Sequence, residues 1–153
     1  MPRRELSRPD QVISWLESWG KSLAEPCEMT LLGSGGLLWH AHRCGHDEPL
    51  PENSMDVDPV TSDEALAALC YDAMIGSEFE EANGWHVNLM PAMVLDYLPE
   101  GWRSRRQTAI YGQLTVVIPS VPDLFAPKLK RGEPRDLKQF EYARRLGLVD
   151  GRD

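Results

Sequence analysis

Twelve prolines and twelve glycines punctuate a chain of 153 residues. Each proline removes a backbone donor and each glycine loosens the chain, so no regular element can run far. The intervals between them read alternately as short helices and short strands. That excludes a long-helix bundle and places the chain in the mixed α+β (or α/β) class. Apolar residues make up 42% and charged residues 26%, enough apolar mass for one core and for a single domain over 1–153.

The periodicities place the elements. Ser7-Arg8-Pro9-Asp10 opens a helix with Val12, Ile13, Leu16, Trp19 and Leu23 on one face, ended by Glu25-Pro26. Cys27–Leu32 reads as a strand closed by Gly33-Ser34-Gly35-Gly36, with an apolar helix from Gly36 to about His42. His46–Asn53 is a polar loop or flap with two prolines. Met55–Val60 alternates as a half-buried strand. Thr61-Ser62-Asp63-Glu64 starts a helix whose apolar face takes in Leu66, Leu69, Met74 and Ile75. Trp85–Met90, stopped by Pro91, is a further strand, and Leu114–Ile118 is the clearest strand, β-branched and bounded by Gly112 and Pro119. Ser120 and Asp123 form a capping box for a helix through Leu129, and a last helix runs from Pro134 to Leu146 with Gly147 behind it. Trp15, Trp19 and Trp39 read as packing residues and Cys70 as a buried thiol.

Charge and cysteine content narrow the function. Lys and Arg number 16 against 24 for Asp and Glu, a net charge of −8. Coating nucleic acid by bulk electrostatics needs a basic face, so that class is excluded while a local basic patch is allowed. Cys27, Cys44 and Cys70 are odd in number and far apart, which gives no disulfide framework. The opening Met-Pro-Arg-Arg-Glu carries no apolar signal core, and no run is apolar enough to span a bilayer. A cytoplasmic, soluble protein with no membrane partner is expected.

Three constellations carry possible chemistry. Gly33-Ser34 lies where a strand enters a helix: glycine lets a phosphate approach the backbone, the helix start offers unpaired N–H groups, and Ser34 adds a hydroxyl. The same turn also serves as an ordinary strand-to-helix connection. Asp56 and Asp58 share one strand face, so their carboxylates repel unless a cation lies between them, and oxygen-only ligation suits Mg²⁺. A solvated acidic face is the plainer alternative. Lys128 and Arg131 stand one turn apart within a run of basic residues, a spacing that grips a polyanion or simply coats a helix surface. His40-Ala41-His42-Arg43-Cys44-Gly45-His46 brings no three ligands to one helix face, so zinc is not expected there.

In that order, the strand–Gly-Ser–helix and the Asp56-x-Asp58 strand resemble the signature of the nucleotidyltransferase superfamily with the polymerase-β-like fold. Leu98-Pro99-Glu100-Gly101-Trp102-Arg103, Leu114-Thr115-Val116, Asp123-Leu124, Lys128-Leu129, Arg131 and Arg135-Asp136 sharpen the likeness. They are similar to an uncharacterised bacterial family of that superfamily related to AbiEii-type toxins of toxin–antitoxin systems. The likeness covers about Leu16 to Asp150. It implies a small mixed sheet flanked by helices, with Gly33, Ser34, Lys128, Arg131 and Asp136 binding the nucleotide and Asp56, Asp58 and Lys128 catalytic. It further implies Mg²⁺ (or Mn²⁺) on Asp56 and Asp58, a nucleoside triphosphate as substrate, an RNA or protein acceptor, and an antitoxin partner. Three positions depart from the pattern. His42–Ser54 is expanded, Asn88 stands where a third carboxylate is expected as metal ligand, and Gln139 stands where relatives repeat an acid. Asp96 is the next acid in line for the third position.

Overall fold

The structure is a computed structural model that describes residues 5–149; Met1–Arg4 and Asp150, on which part of the reading above falls, lie outside them. In chain order the elements are α1 (Pro9–Ser22), β1 (Cys27–Leu32), α2 (Gly33–Arg43), β2 (Asp56–Val60), α3 (Glu64–Asp72) and α4 (Glu78–Asn83). Then come β3 (His86–Val87), a 3₁₀ turn (Ala92–Tyr97), α5 (Trp102–Arg105), β4 (Gln107–Tyr111), β5 (Leu114–Ile118), α6 (Val121–Arg131) and α7 (Pro134–Arg145). The class is mixed α+β: one five-stranded sheet in the order β3-β2-β1-β5-β4, flanked by helices. Strand β1 lies at its centre, parallel to β5 and antiparallel to β2, while β2 and β3 run parallel. Among the described residues, no helix is long and apolar enough to cross a membrane.

The expected face of α1 is the one that packs. Val12, Leu16, Trp15 and Trp19 are buried, and Trp15 meets Trp19 and Trp85 edge to face at 5.1 and 5.9 Å. Leu31, Val57, Val116 and Ile118 from the central strands join the same core. Trp39 is buried too, its indole N–H donating to the Tyr111 hydroxyl at 2.9 Å. Cys27 and Cys70 are buried free thiols, and Cys44 is exposed.

Four expectations need correction. Helix α2 begins at Gly33 and not Gly36, because the +62° φ of Gly33 makes the whole turn in one residue. Helix α3 stops at Asp72, so Met74 and Ile75 sit beyond it, 47% and 66% exposed, and contribute nothing to its buried face. Helix α6 runs on to Arg131, where Gly132 takes the left-handed cap. The Trp85–Met90 strand shrinks to His86–Val87. Val57 and Pro59 carbonyls still accept from the amides of Asn88 and Met90 at 2.8 and 2.9 Å. The return bond into the Asn88 carbonyl would need an N–H on Pro59, which proline lacks, so the regular ladder ends there.

The polar stretch before β2 is no free flap. Leu6 and Ser54 exchange backbone bonds at 3.0 and 2.7 Å, Leu50 is buried, and the Tyr142 hydroxyl donates to the Glu48 carbonyl at 2.7 Å. The loop is thereby tied both to the segment entering α1 and to α7.

Candidate active site

Register places the acids. Leu32, the last residue of β1, pairs with Asp58, so Asp58 lies beside the Gly33 turn. A side chain on Gly33 would bring its Cβ within 2.4 Å of Asp58 Oδ2, so only glycine leaves room for that carboxylate. Farther along α2, a Cβ on Gly36 would fall 2.9 Å from the Leu31 carbonyl oxygen and 3.1 Å from Leu124. The glycines therefore seat the start of α2 tightly on β1 and α6. This role is independent of any ligand.

Residues on parallel partner strands share a face, so the Asp56–His86 pairing puts four polar side chains together: Asp56, Asp58, His86 and Asn88. Asn88 Nδ2 donates to Asp58 Oδ1 at 3.2 Å and also contacts Met90 Sδ at 3.3 Å. His86 Nε2 stands 3.9 Å from Asp56 Oδ2, and its Nδ1 lies 2.8 Å from Glu80 Oε2. Burial, then the neighbouring Asp56 charge, push the Asp58 carboxyl up to about 6, against the pull of Asn88, Lys128 and Arg135. Two carboxylates with too little positive charge nearby are under electrostatic stress.

Helices α6 and α7 close the opposite side. Lys128 Nζ donates to Gln139 Oε1 at 3.0 Å, and Gln139 Nε2 donates to Ser34 Oγ at 3.1 Å. One buried amide thus holds a lysine from α6 and a serine from α2. Burial pulls the Lys128 ammonium down, while Asp136 and Asp58 push it back up. Arg131 grips Asp136 in a two-pronged ion pair, 2.9 and 2.8 Å. The hydrogen bonds from Arg131 hold the buried Asp136 carboxyl below its usual range. Arg135 donates to Ser54 Oγ at 3.3 Å.

All of the expected site residues line one cleft of about 260 Å³: Gly33, Ser34, Asp56, Asp58, Asn88, Lys128, Arg131 and Asp136. They come from α2, β2, the end of β3, α6 and α7, spread over a hundred positions of sequence. Their accessibility differs. Ser34 is 5% exposed and already accepts from Gln139, whereas Arg131 keeps half its side chain in solvent. Asp136 enters the cleft wall as the partner that orients Arg131. Arg135 and Gln139 line the cleft as well, though neither was singled out as a site residue. Their spacing of four on α7, beside Asp136, was the available signal. Asp96 lies in the 3₁₀ turn and is exposed, outside the cleft lining.

The donor set fits a hard cation carried in by a ligand. Asp56 and Asp58 offer oxygens only, whereas Asn88, expected as a metal ligand, turns its Nδ2 donor toward Asp58; Mg²⁺ usually takes one or two carboxylates and fills its other positions with water and phosphate. A self-sufficient protein cage is another matter: among the described residues, no three His, Cys, Asp or Glu side chains cluster for a metal. His40, from the histidine-rich run, is buried with Nε2 2.8 Å from the Pro119 carbonyl oxygen. The cleft therefore combines two repelling carboxylates, a helix start and a half-buried lysine, an arrangement suited to a polyphosphate with a divalent ion. No family model, curated protein or solved structure matches this chain.

Proposed function

We propose that this protein is a Mg²⁺-dependent nucleotidyltransferase of the polymerase-β-like kind. It would move a nucleoside monophosphate from a triphosphate to a hydroxyl of RNA or protein, as the toxin half of a toxin–antitoxin pair does. One observation carries the reading: Asp56, Asp58, the Gly33–Ser34 helix start and Lys128 line a single cleft. In the reaction an acceptor oxygen forms a bond to the α-phosphorus, the bond to the β-phosphate oxygen breaks, and the acceptor proton leaves to solvent or a carboxylate. Pyrophosphate departs with the bonding pair. Lys128 and Arg131 neutralise charge on the polyphosphate, and the helix start of α2 orients it. Asp56 and Asp58 would hold a Mg²⁺ (or Mn²⁺), which supplies charge stabilisation when bound.

A second reading has its own observation. Asn88 donates to Asp58 beside the paired acids; if the family likeness holds, this position would take the third carboxylate, and an amide cannot act as a base near neutral pH. On that reading the protein binds nucleotide, or a partner protein, with little turnover. Incubation with each α-labelled nucleoside triphosphate and Mg²⁺, with total RNA and cell lysate as acceptors, separates the two. Magnesium-dependent label transfer, lost in Asp56→Asn with Asp58→Asn, supports the enzyme. Nucleotide binding without transfer supports the second reading, and the absence of both overturns the enzyme and the nucleotide-binding form of the second reading.

A further inference from the structure

Beside the charged cleft lies a second hollow of about 360 Å³ that shares Gly33, Asp58, Met90, Lys128 and Arg131 with it. Its remaining wall is mainly apolar and includes Val94, Tyr97, Leu124 and Pro127. The two hollows adjoin at these shared residues, one lined mainly by charged and polar groups and the other mainly by hydrocarbon and an aromatic ring.

The outer rim is unusual for a soluble chain. Ala92–Tyr97 is apolar at five of six positions, yet none of the six is buried. From this segment Val94 and Tyr97 line the hollow, and Tyr97 is 70% exposed. Prolines 91 and 99 bracket the segment, and backbone bonds from Val94 to Pro91 and from Leu98 to Leu95 hold it at 3.1 and 3.2 Å. The segment is thus ordered by its own turn rather than by a core. An ordered apolar rim left uncovered next to a charged cleft marks a ligand surface.

We propose that this hollow receives the nucleoside half of the triphosphate, with the base stacked on Tyr97. The inference rests on the reading that the charged cleft takes the polyphosphate. The shared residues identify the occupant: a ligand anchored by its phosphates on Lys128 and Arg131 has to extend from there, and those two side chains line both hollows. Apart from the residues shared with the charged cleft, the Tyr97 hydroxyl is the one polar side-chain group in its wall. With little to read the hydrogen-bonding edge of a base, the site recognises its face. Every base has a π face, so binding is tolerant of base identity.

The test is calorimetric titration of the full chain with Mg–ATP, Mg–UTP and Mg–tripolyphosphate. Both nucleotides bind more tightly than tripolyphosphate and within about tenfold of each other. Tyr97→Ala weakens both nucleotides roughly tenfold and leaves tripolyphosphate unchanged, while Tyr97→Phe retains most of the nucleotide affinity. Because Tyr97 is largely exposed, these variants keep the fold. If nucleotides bind no better than tripolyphosphate, or Tyr97→Ala leaves nucleotides unaffected, the nucleoside assignment falls while the phosphate cleft stands. A difference beyond about 100-fold between the two nucleotides overturns the base tolerance. If none of the three ligands binds the unmodified chain, the underlying reading of the cleft falls as well.

Discussion

Replacing Asp58 with Asn should stabilise the metal-free protein, against the usual direction of a substitution at a half-buried polar site. Folding raises the Asp58 carboxyl from 3.8 to about 6, through burial first and the Asp56 charge second. One unit is worth about 1.4 kcal/mol, so two units set a ceiling of about 3 kcal/mol. That figure already contains the favourable pull of Asn88, Lys128 and Arg135. The folded state binds the Asp58 proton more tightly than the unfolded chain does. Its contribution to stability is therefore full below pH 3.8 and lost as pH climbs through about 6. Asn removes the charge and keeps an oxygen to accept from Asn88. The gain should approach 3 kcal/mol at pH 8, a rise of roughly 6–10 °C in melting temperature, and shrink to about 1 kcal/mol at pH 4.5. Melting curves at the two pH values, with and without Mg–tripolyphosphate, measure it. Saturating Mg–tripolyphosphate should stabilise the natural protein more than the variant, because the ligand-borne ion binds the folded state through these acids. A variant less stable at pH 8, or a gain equal at both pH values, would refute the account of charge repulsion.

Other substitutions probe the rest of the cleft. Gly33→Ala forces a Cβ at φ +62° to within 2.4 Å of Asp58 Oδ2 and should cost more than about 1 kcal/mol in urea denaturation; a neutral outcome would deny the close approach. Gln139→Leu leaves the half-buried Lys128 ammonium and the buried Ser34 hydroxyl without their shared partner. A loss of about 1–3 kcal/mol is expected, with weaker binding of Mg–tripolyphosphate, and unchanged values in both would show that Gln139 positions neither. Asn88→Asp adds a third carboxylate at nearly constant volume. Mg²⁺-dependent label transfer should rise on the order of 10²-fold, at some cost to stability without the ion; vigorous transfer by the natural chain, abolished by this change, would show the third acid to lie elsewhere.

Local signals and long-range consequences divide what could be read beforehand. Helix α1 was legible because Val12, Leu16 and Trp19 repeat at helical spacing, and β5 because Thr115, Val116, Val117 and Ile118 are β-formers between breakers. Strand β4 went unread: Gln107–Tyr111 alternates weakly, and Ile110 points outward at 72% exposure. Its real signature is the Gly112–Gln113 connection, with Gly112 at φ +58°, which makes β4 and β5 a hairpin. Helix α4 was also missed although Ser77 caps it by accepting from the Glu80 amide. The acids and the Gly-Ser turn were legible as a short-range pattern. The polar chain through Lys128 was not, since Gln139, which accepts from Lys128, also donates to Ser34 105 positions away, a contact that no local spacing encodes. Nor did the strand reading of Trp85–Met90 allow for Pro59, a residue on the neighbouring strand that ends the ladder.

The central claim is that Asp56, Asp58 and Lys128 bind a magnesium–triphosphate together. Titration of the full chain with a nucleoside triphosphate, in the presence and absence of Mg²⁺, tests it most directly when repeated on Asp56→Asn with Asp58→Asn and on Lys128→Ala. The natural protein should bind with Mg²⁺ and at least about tenfold more weakly without it, a difference of about 1.4 kcal/mol. Both variants should bind weakly in either condition while melting cooperatively. Equal affinity in the natural protein and the paired-acid variant, or no binding by the natural protein at all, would contradict the account.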